Sequence, residues 1–297
     1  MYDQRSIPVC RIKHKRLILF NLPVQDRQYS RHKVHENASA GLRVAYKDGT
    51  LSTGAKKRLK NAIETLIDIS PKKRFTAPST GIEYAYQIVF VTLTLSAPQG
   101  QYDDATIVKE CLRPFLQTLR RTFKCSSYVW RAEKQKNGNI HFHLTTNNFI
   151  PMDQLQQQWN RCQERLGFVT AFKSKHGHSH PPSTEVKSVR HIKSLSDYLI
   201  KYMSKATPDK LRVNCKQWDC SKELKSPNYV DKVVDSVVDA TLTKLKEIRG
   251  VVEWVGDCYT CIKMRGFDIR SYLPKEWQEE IRSVLDTIRL NARLAIT

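Results

Sequence analysis

The chain has 297 residues, enough for one large domain or a catalytic domain with flanking elements, and ample for a buried core. Fifty Lys and Arg face 29 Asp and Glu, a formal charge of +21 that attracts polyanions and makes nucleic acid the expected partner through counterion release. No apolar run approaches the roughly 18 residues of a membrane helix, and the opening MYDQRSIPVC lacks the apolar core of a signal peptide. A cytoplasmic protein, with most of its eight cysteines as reduced thiols, is the expectation.

Residues 1–83 read as a basic N-terminal extension; the first 80 carry 17 Lys and Arg against 6 Asp and Glu. Within them a helix is expected from Ala55, with Leu59, Ile63, Leu66 and Ile67 on its apolar side and Pro71 ending it. Tyr86–Leu95 is rich in β-branched residues and predicts a buried strand. Asp104–Phe123 follows helical spacing, with Pro114 expected to kink or split it. Ser127–Glu133 and Ile140–Thr146 alternate as strands around Lys136-Asn137-Gly138. Gln154–Leu166 predicts an amphipathic helix, and Phe168–Phe172 and Thr184–Val189 two short strands flanking a loop with His176, His178 and His180. Ser194 or Ser196 can cap a last helix that runs to about Lys205. The order strand, helix, strand, strand, helix, strand over 84–206 is that of an α+β, ferredoxin-like (split βαβ) domain, an antiparallel sheet with helices on one face. Residues 207–297 read as a helical C-terminal region, with helices over Tyr229–Ile248 and Trp277–Leu294.

His141 and His143 stand at i and i+2 of a strand, so both imidazoles project from one face and supply half of a metal site. A three-residue loop ending in a left-handed Gly138 pairs Glu133 with His141 and brings a carboxylate to the same face. A two-residue Asn-Gly turn instead pairs Glu133 with Phe142 and turns it away. In the helix beyond, Tyr198 and Tyr202 are i,i+4 neighbours, with Lys201 and Lys205 on much the same stripe.

Phe90-Val91-Thr92-Leu93-Thr94-Leu95-Ser96, then His141-Phe142-His143, then Tyr198-x-x-Lys201-Tyr202-x-x-Lys205 resemble the three ordered motifs of rolling-circle replication initiators of the HUH endonuclease superfamily. The two-tyrosine form is similar to the initiators of small single-stranded DNA phages, and the resemblance covers about residues 84–206. It implies an HUH-type endonuclease domain in which His141, His143 and Glu133 hold Mg²⁺ or Mn²⁺. A tyrosine, Tyr198 or Tyr202, then attacks phosphorus to leave a 5′-phosphotyrosyl link and a free 3′-OH, with Lys201 or Lys205 favouring the phenolate. It further implies single-stranded DNA and an origin duplex as partners, with helicase and polymerase supplied by a bacterial host cell.

Other readings compete. Cys215, Cys220, Cys258 and Cys261 could form a structural Zn²⁺ site, though the spacing of the first pair is loose. A non-catalytic module binding single strands on a sheet would carry aromatic pairs where Glu133, His141 and His143 stand. An HUH transposase or plasmid relaxase shares the histidine pair, but the simplest such transposases use one tyrosine. Phosphoesterases with two H-x-[ST] motifs are excluded, because no second histidine motif fits.

Overall fold

A computed structural model of the protein describes residues 6–23, 51–76, 80–188, 199–200, 212–265 and 267–296. It is mixed α+β with antiparallel sheets, and it clusters into two units, one of 41–225 with 291–297 and one of 1–40 with 226–290. Among the described residues no helix is long and apolar enough to cross a membrane.

The chain opens with a hairpin, β1 (Ser6–Lys13) and β2 (Arg16–Pro23). The larger unit follows. In α1 (Thr53–Ile69), Leu59, Ile63 and Leu66 recur at helical spacing and are buried. The Ser52 hydroxyl accepts from the Ala55 amide to cap its start, and the extended Ser70 before Pro71 ends it. Next come a two-stranded ribbon, β3 (Lys73–Thr76) and β4 (Glu83–Tyr86), and then β5 (Val89–Thr94). The stretch expected as one strand over Tyr86–Leu95 is thus interrupted. Gln87 lies in the break, and its side-chain amide donates to the carbonyls of Ile67 and Ser70 at 2.9 and 2.8 Å, closing the end of α1.

Pro114 does split its helix: α2 (Asp104–Ile107) passes through a π-helical turn at Val108–Leu112 into α3 (Arg113–Arg121). The proline falls in the first turn of α3, where a missing N–H costs least. The hairpin β6 (Tyr128–Lys134) and β7 (Ile140–Thr146) leads to α4 (Met152–Gln163) and α5 (Phe168–His176), and then to β8 (Thr184–Ser188) and β9 (Trp218–Cys220). Phe168–Phe172, expected as a strand, is helical. Gly167 takes φ 76° and starts it, Lys173, Lys175 and His176 sit in its last turn, and Gly177 at φ 77° stops it.

These strands form one antiparallel sheet in the order β8-β5-β7-β6-β9. On one face, Val91, Leu93, Trp130, Phe142 and Leu144 pack with Leu112, Phe115, Leu119, Leu155 and Trp159 of the helical segments. The Trp159 indole N–H donates to the Thr94 carbonyl at 2.7 Å and ties α4 to β5. On the other face the chemistry-bearing residues stand.

The smaller unit replaces two expectations. The basic leader and the helical C-terminal region instead contribute strands to one antiparallel sheet, ordered β10 (Val230–Val233), β1, β2, β12 (Tyr259–Met264), β11 (Val251–Val255). Tyr229–Ile248 is therefore not one helix. Val230–Val233 pairs with β1, and α6 (Ser236–Glu247) begins only where the Asp235 carboxylate accepts from the Val237 and Val238 amides. The last helix, α7 (Lys275–Leu294), matches its expected span closely.

Candidate metal centre

The β6–β7 loop selects the register. Gly138 adopts φ 84°, its amide donates to the Gln135 carbonyl at 2.9 Å, and the Gln135 amide donates to the Asn139 carbonyl at 2.8 Å. This is the three-residue loop with a left-handed third residue. In consequence Glu133 lies opposite His141, and Arg131 opposite His143. On the neighbouring strand Thr94 faces His141 and Thr92 faces His143.

The ligand atoms converge. His141 Nε2 and His143 Nε2 are 3.1 Å apart, and Glu133 Oε2 is 3.7 and 3.4 Å from them. Adjacent ligands of an octahedral cation with bonds of ~2.1 Å stand roughly 3.0 Å apart, so a small contraction brings three donors onto one cation. Among the described residues this is the only group of three or more His, Cys, Asp or Glu whose ligand atoms gather within 4.8 Å. The side chains of Glu133, His141 and His143 keep 19%, 16% and 16% of their exposure, so the site is open enough to admit a cation and a phosphate. Two imidazoles with one carboxylate suit Mn²⁺ or another borderline cation better than Mg²⁺, whose preferred ligands are oxygens.

Three residues support the triad. Arg131 is 1% exposed, and its Nε stands 3.3 Å from Glu133 Oε1. Burial pulls its guanidinium down in pKa, and the Glu133 charge opposes that. Burial likewise raises the Glu133 carboxyl, but hydrogen bonding to His141 and His143 and the Arg131 charge outweigh it, so Glu133 is held well below the usual carboxylate range. Thr92 Oγ1 is 3.4 Å from His143 Nδ1, and Phe90 stacks on the same ring at 5.2 Å. These contacts fix one imidazole so that Nε2 faces the other ligands. His141 Nδ1 is buried without a hydrogen-bond partner. Arg131 carried a signal in the sequence: it stands two residues before Glu133, on the same face of the strand.

Tyr198, Lys201, Tyr202 and Lys205 lie outside the described residues, as do Ser194 and Ser196. Leu199 and Ile200 are helical, and Leu199 is fully buried. Cys215, Cys220, Cys258 and Cys261, considered for zinc, are free and form no converging group. Burial pushes the thiols of Cys215 and Cys220 up to about 12, so both are protonated at neutral pH. His176, His178 and His180 are exposed at the end of α5, the first two against the Phe172 ring.

The family model for the replication-associated protein ORF2 matches residues 88–207, a span that holds the triad and its hairpin. No curated protein and no solved structure matches the chain.

Proposed function

We propose that the protein is a rolling-circle replication initiator of the HUH type, which nicks and rejoins single-stranded DNA through a tyrosine. One observation carries the reading: Glu133, His141 and His143 bring three ligand atoms together on a partly open sheet face, within the span similar to a replication-associated family. The sheet order β8-β5-β7-β6 supports it, because it is the split βαβ pattern expected for such a domain.

Glu133, His141 and His143 would hold Mg²⁺ or Mn²⁺. The bound cation supplies Lewis-acid polarisation of a phosphate oxygen. The chain's own residues do the rest. Arg131 holds Glu133 ionised and oriented, and Thr92 and Phe90 fix His143. A phenolate from Tyr198 or Tyr202 forms the new O–P bond while the P–O3′ bond breaks, and the 3′ oxygen takes up a proton. Lys201 and Lys205 favour the phenolate, whose free pKa is near 10. The 5′-phosphotyrosyl link keeps the phosphodiester energy, so rejoining needs no nucleotide triphosphate. The second tyrosine allows a second transfer that closes a circle. Helicase and polymerase come from the host cell in which the protein acts.

The test is nicking of labelled single-stranded origin-region DNA with Mn²⁺, resolved on a denaturing gel. A protein–DNA adduct is expected, lost with chelator, in His141→Ala and in the Tyr198→Phe/Tyr202→Phe double variant. Binding of the origin strand with no adduct under any metal would sink the proposal and leave a non-catalytic binding module.

A further inference from the structure

The sheet of the smaller unit has two unlike faces. On one, Cys10, Ile12, Leu17 and Ile262 are almost wholly buried. Lys232, which shares that face, pairs with Glu280 of α7 at 2.5 Å, placing the helix on this side. The register puts a different set on the opposite face. Val233, Val9, Phe20 and Tyr259 form one row across four strands. Asp231, Arg11, Ile18, Cys261 and Trp254 form the next, and Lys13, Arg16, Lys263 and Val252 the one beyond. Ile7 opposes Leu22 at the far end.

That second face is apolar, aromatic and open. Ile7, Leu22, Val233, Trp254 and Tyr259 are 40%, 44%, 60%, 55% and 43% exposed. The Trp254 and Tyr259 rings stand 5.2 Å apart. Gly256 makes room for the indole: a Cβ there would come within 3.1 Å of the ring carbons of Trp254. Arg11 is fixed by two 2.7 Å hydrogen bonds to Asp231, and its guanidinium lies over the rings of Phe20 and Tyr229 at 4.9 and 3.8 Å. At one margin the row of Lys13, Arg16 and Lys263 gathers three cations.

We infer that this face is a platform for single-stranded DNA, with bases stacked on Trp254 and Tyr259 and phosphates drawn to the margin of Arg16 and Lys263. The commitment to a nucleic acid follows from charge. The chain is +21, and the face joins exposed rings to a cationic row, the pairing that holds single strands without reading sequence. Single strands are favoured over duplex because only unpaired bases offer flat surfaces to rings standing on a broad sheet. Adjacent rows lie roughly 6.8 Å apart along the strands, so the cations sit one to two rows from the rings.

The experiment uses the full chain in chelator, so that no cleavage occurs, and fluorescein-labelled oligothymidylate that carries no origin sequence. Anisotropy titrations compare the parent, Trp254→Ala/Tyr259→Ala, Trp254→Phe/Tyr259→Phe and His141→Ala. Loss of affinity of about ten-fold or more is expected in the alanine pair, with recovery to within about two-fold in the phenylalanine pair and no change in His141→Ala. Binding of a labelled duplex should move less than about two-fold. A thermal unfolding midpoint equal to the parent's shows that the exposed substitutions leave the fold intact. Unchanged oligothymidylate affinity in a folded alanine pair overturns the inference. So does an equal loss for duplex, or dissociation of a dimer by the substitutions with DNA binding intact. The His141→Ala arm separates this result from the nicking proposal, which can fail while the platform stands.

Discussion

At the scale of residues, Arg131 is the side chain whose removal should cost most. It is 1% exposed beside the Glu133 carboxylate, and taking away one member of a buried ion pair leaves the other uncompensated. Arg131→Ala should destabilise the protein by about 3 kcal/mol, read from the urea midpoint, and should weaken Mn²⁺ binding measured by calorimetry. A second prediction concerns acid. Asp219 loses some solvation to burial, yet hydrogen bonds from Lys216 and Lys225 outweigh this and hold its pKa below the ordinary value. A carboxyl depressed on folding stabilises above its unfolded pKa of about 3.9, and that contribution is lost as pH falls through the folded value. Asp219→Asn should therefore cost a constant amount of stability above about pH 5, and the gap to the parent should shrink as pH drops below about 4. The metal ligands were legible in the sequence because strand alternation is a local rule. The burial of Arg131 was not, since it depends on how other elements cover the sheet.

Elements were legible where their boundaries are set by neighbours in sequence. Leu59, Ile63 and Leu66 marked α1, and the Asn-Gly turn marked the β6–β7 hairpin. The hairpin also offered two registers, and the left-handed Gly138 decides between them. A Cβ at Gly138 would meet nothing within 4 Å, so its cost is purely that of the backbone. Gly138→Ala should cost about 1 kcal/mol in chemical unfolding, and because a slip of one residue turns Glu133 away, Mn²⁺ affinity should fall with it. Where propensity misled, capping was the truer signal. Phe168-Val169-Thr170-Ala171-Phe172 has strand-forming residues, but Gly167 and Gly177 bracket a helix. Tyr229–Ile248 has helical composition, but Asp235 starts the helix late and leaves the residues before it to pair with β1.

At the scale of the whole molecule, the largest surprise came from partners far apart in the chain. Arg11 and Asp231 are 220 residues apart and share two hydrogen bonds. No window of sequence contains both, so the strands of a highly basic leader left no mark beyond ordinary apolar residues. A fragment lacking residues 6–23 removes the two inner strands of the sheet, leaving β10 without a partner and β12 with only β11. Its 226–290 portion should be cut by low concentrations of trypsin at least ten times faster than in the full chain, while the hairpin that carries Glu133 stays protected. Equal protection of both would mean that the terminal sheet is not held by its N-terminal strands.

That pairing has a consequence for how the protein is made. A ribosome adding ~5–20 residues per second needs roughly 10–45 s to travel the 220 residues between Arg11 and Asp231. During that interval the first hairpin exists with both outer edges unsatisfied, its Leu17 and Ile12 uncovered, and the intervening unit emerging behind it. The newborn chain thus carries a sticky, half-built sheet for most of its synthesis. Yield in a cell should respond to chaperone supply and to translation speed far more than the finished protein's equilibrium stability would suggest.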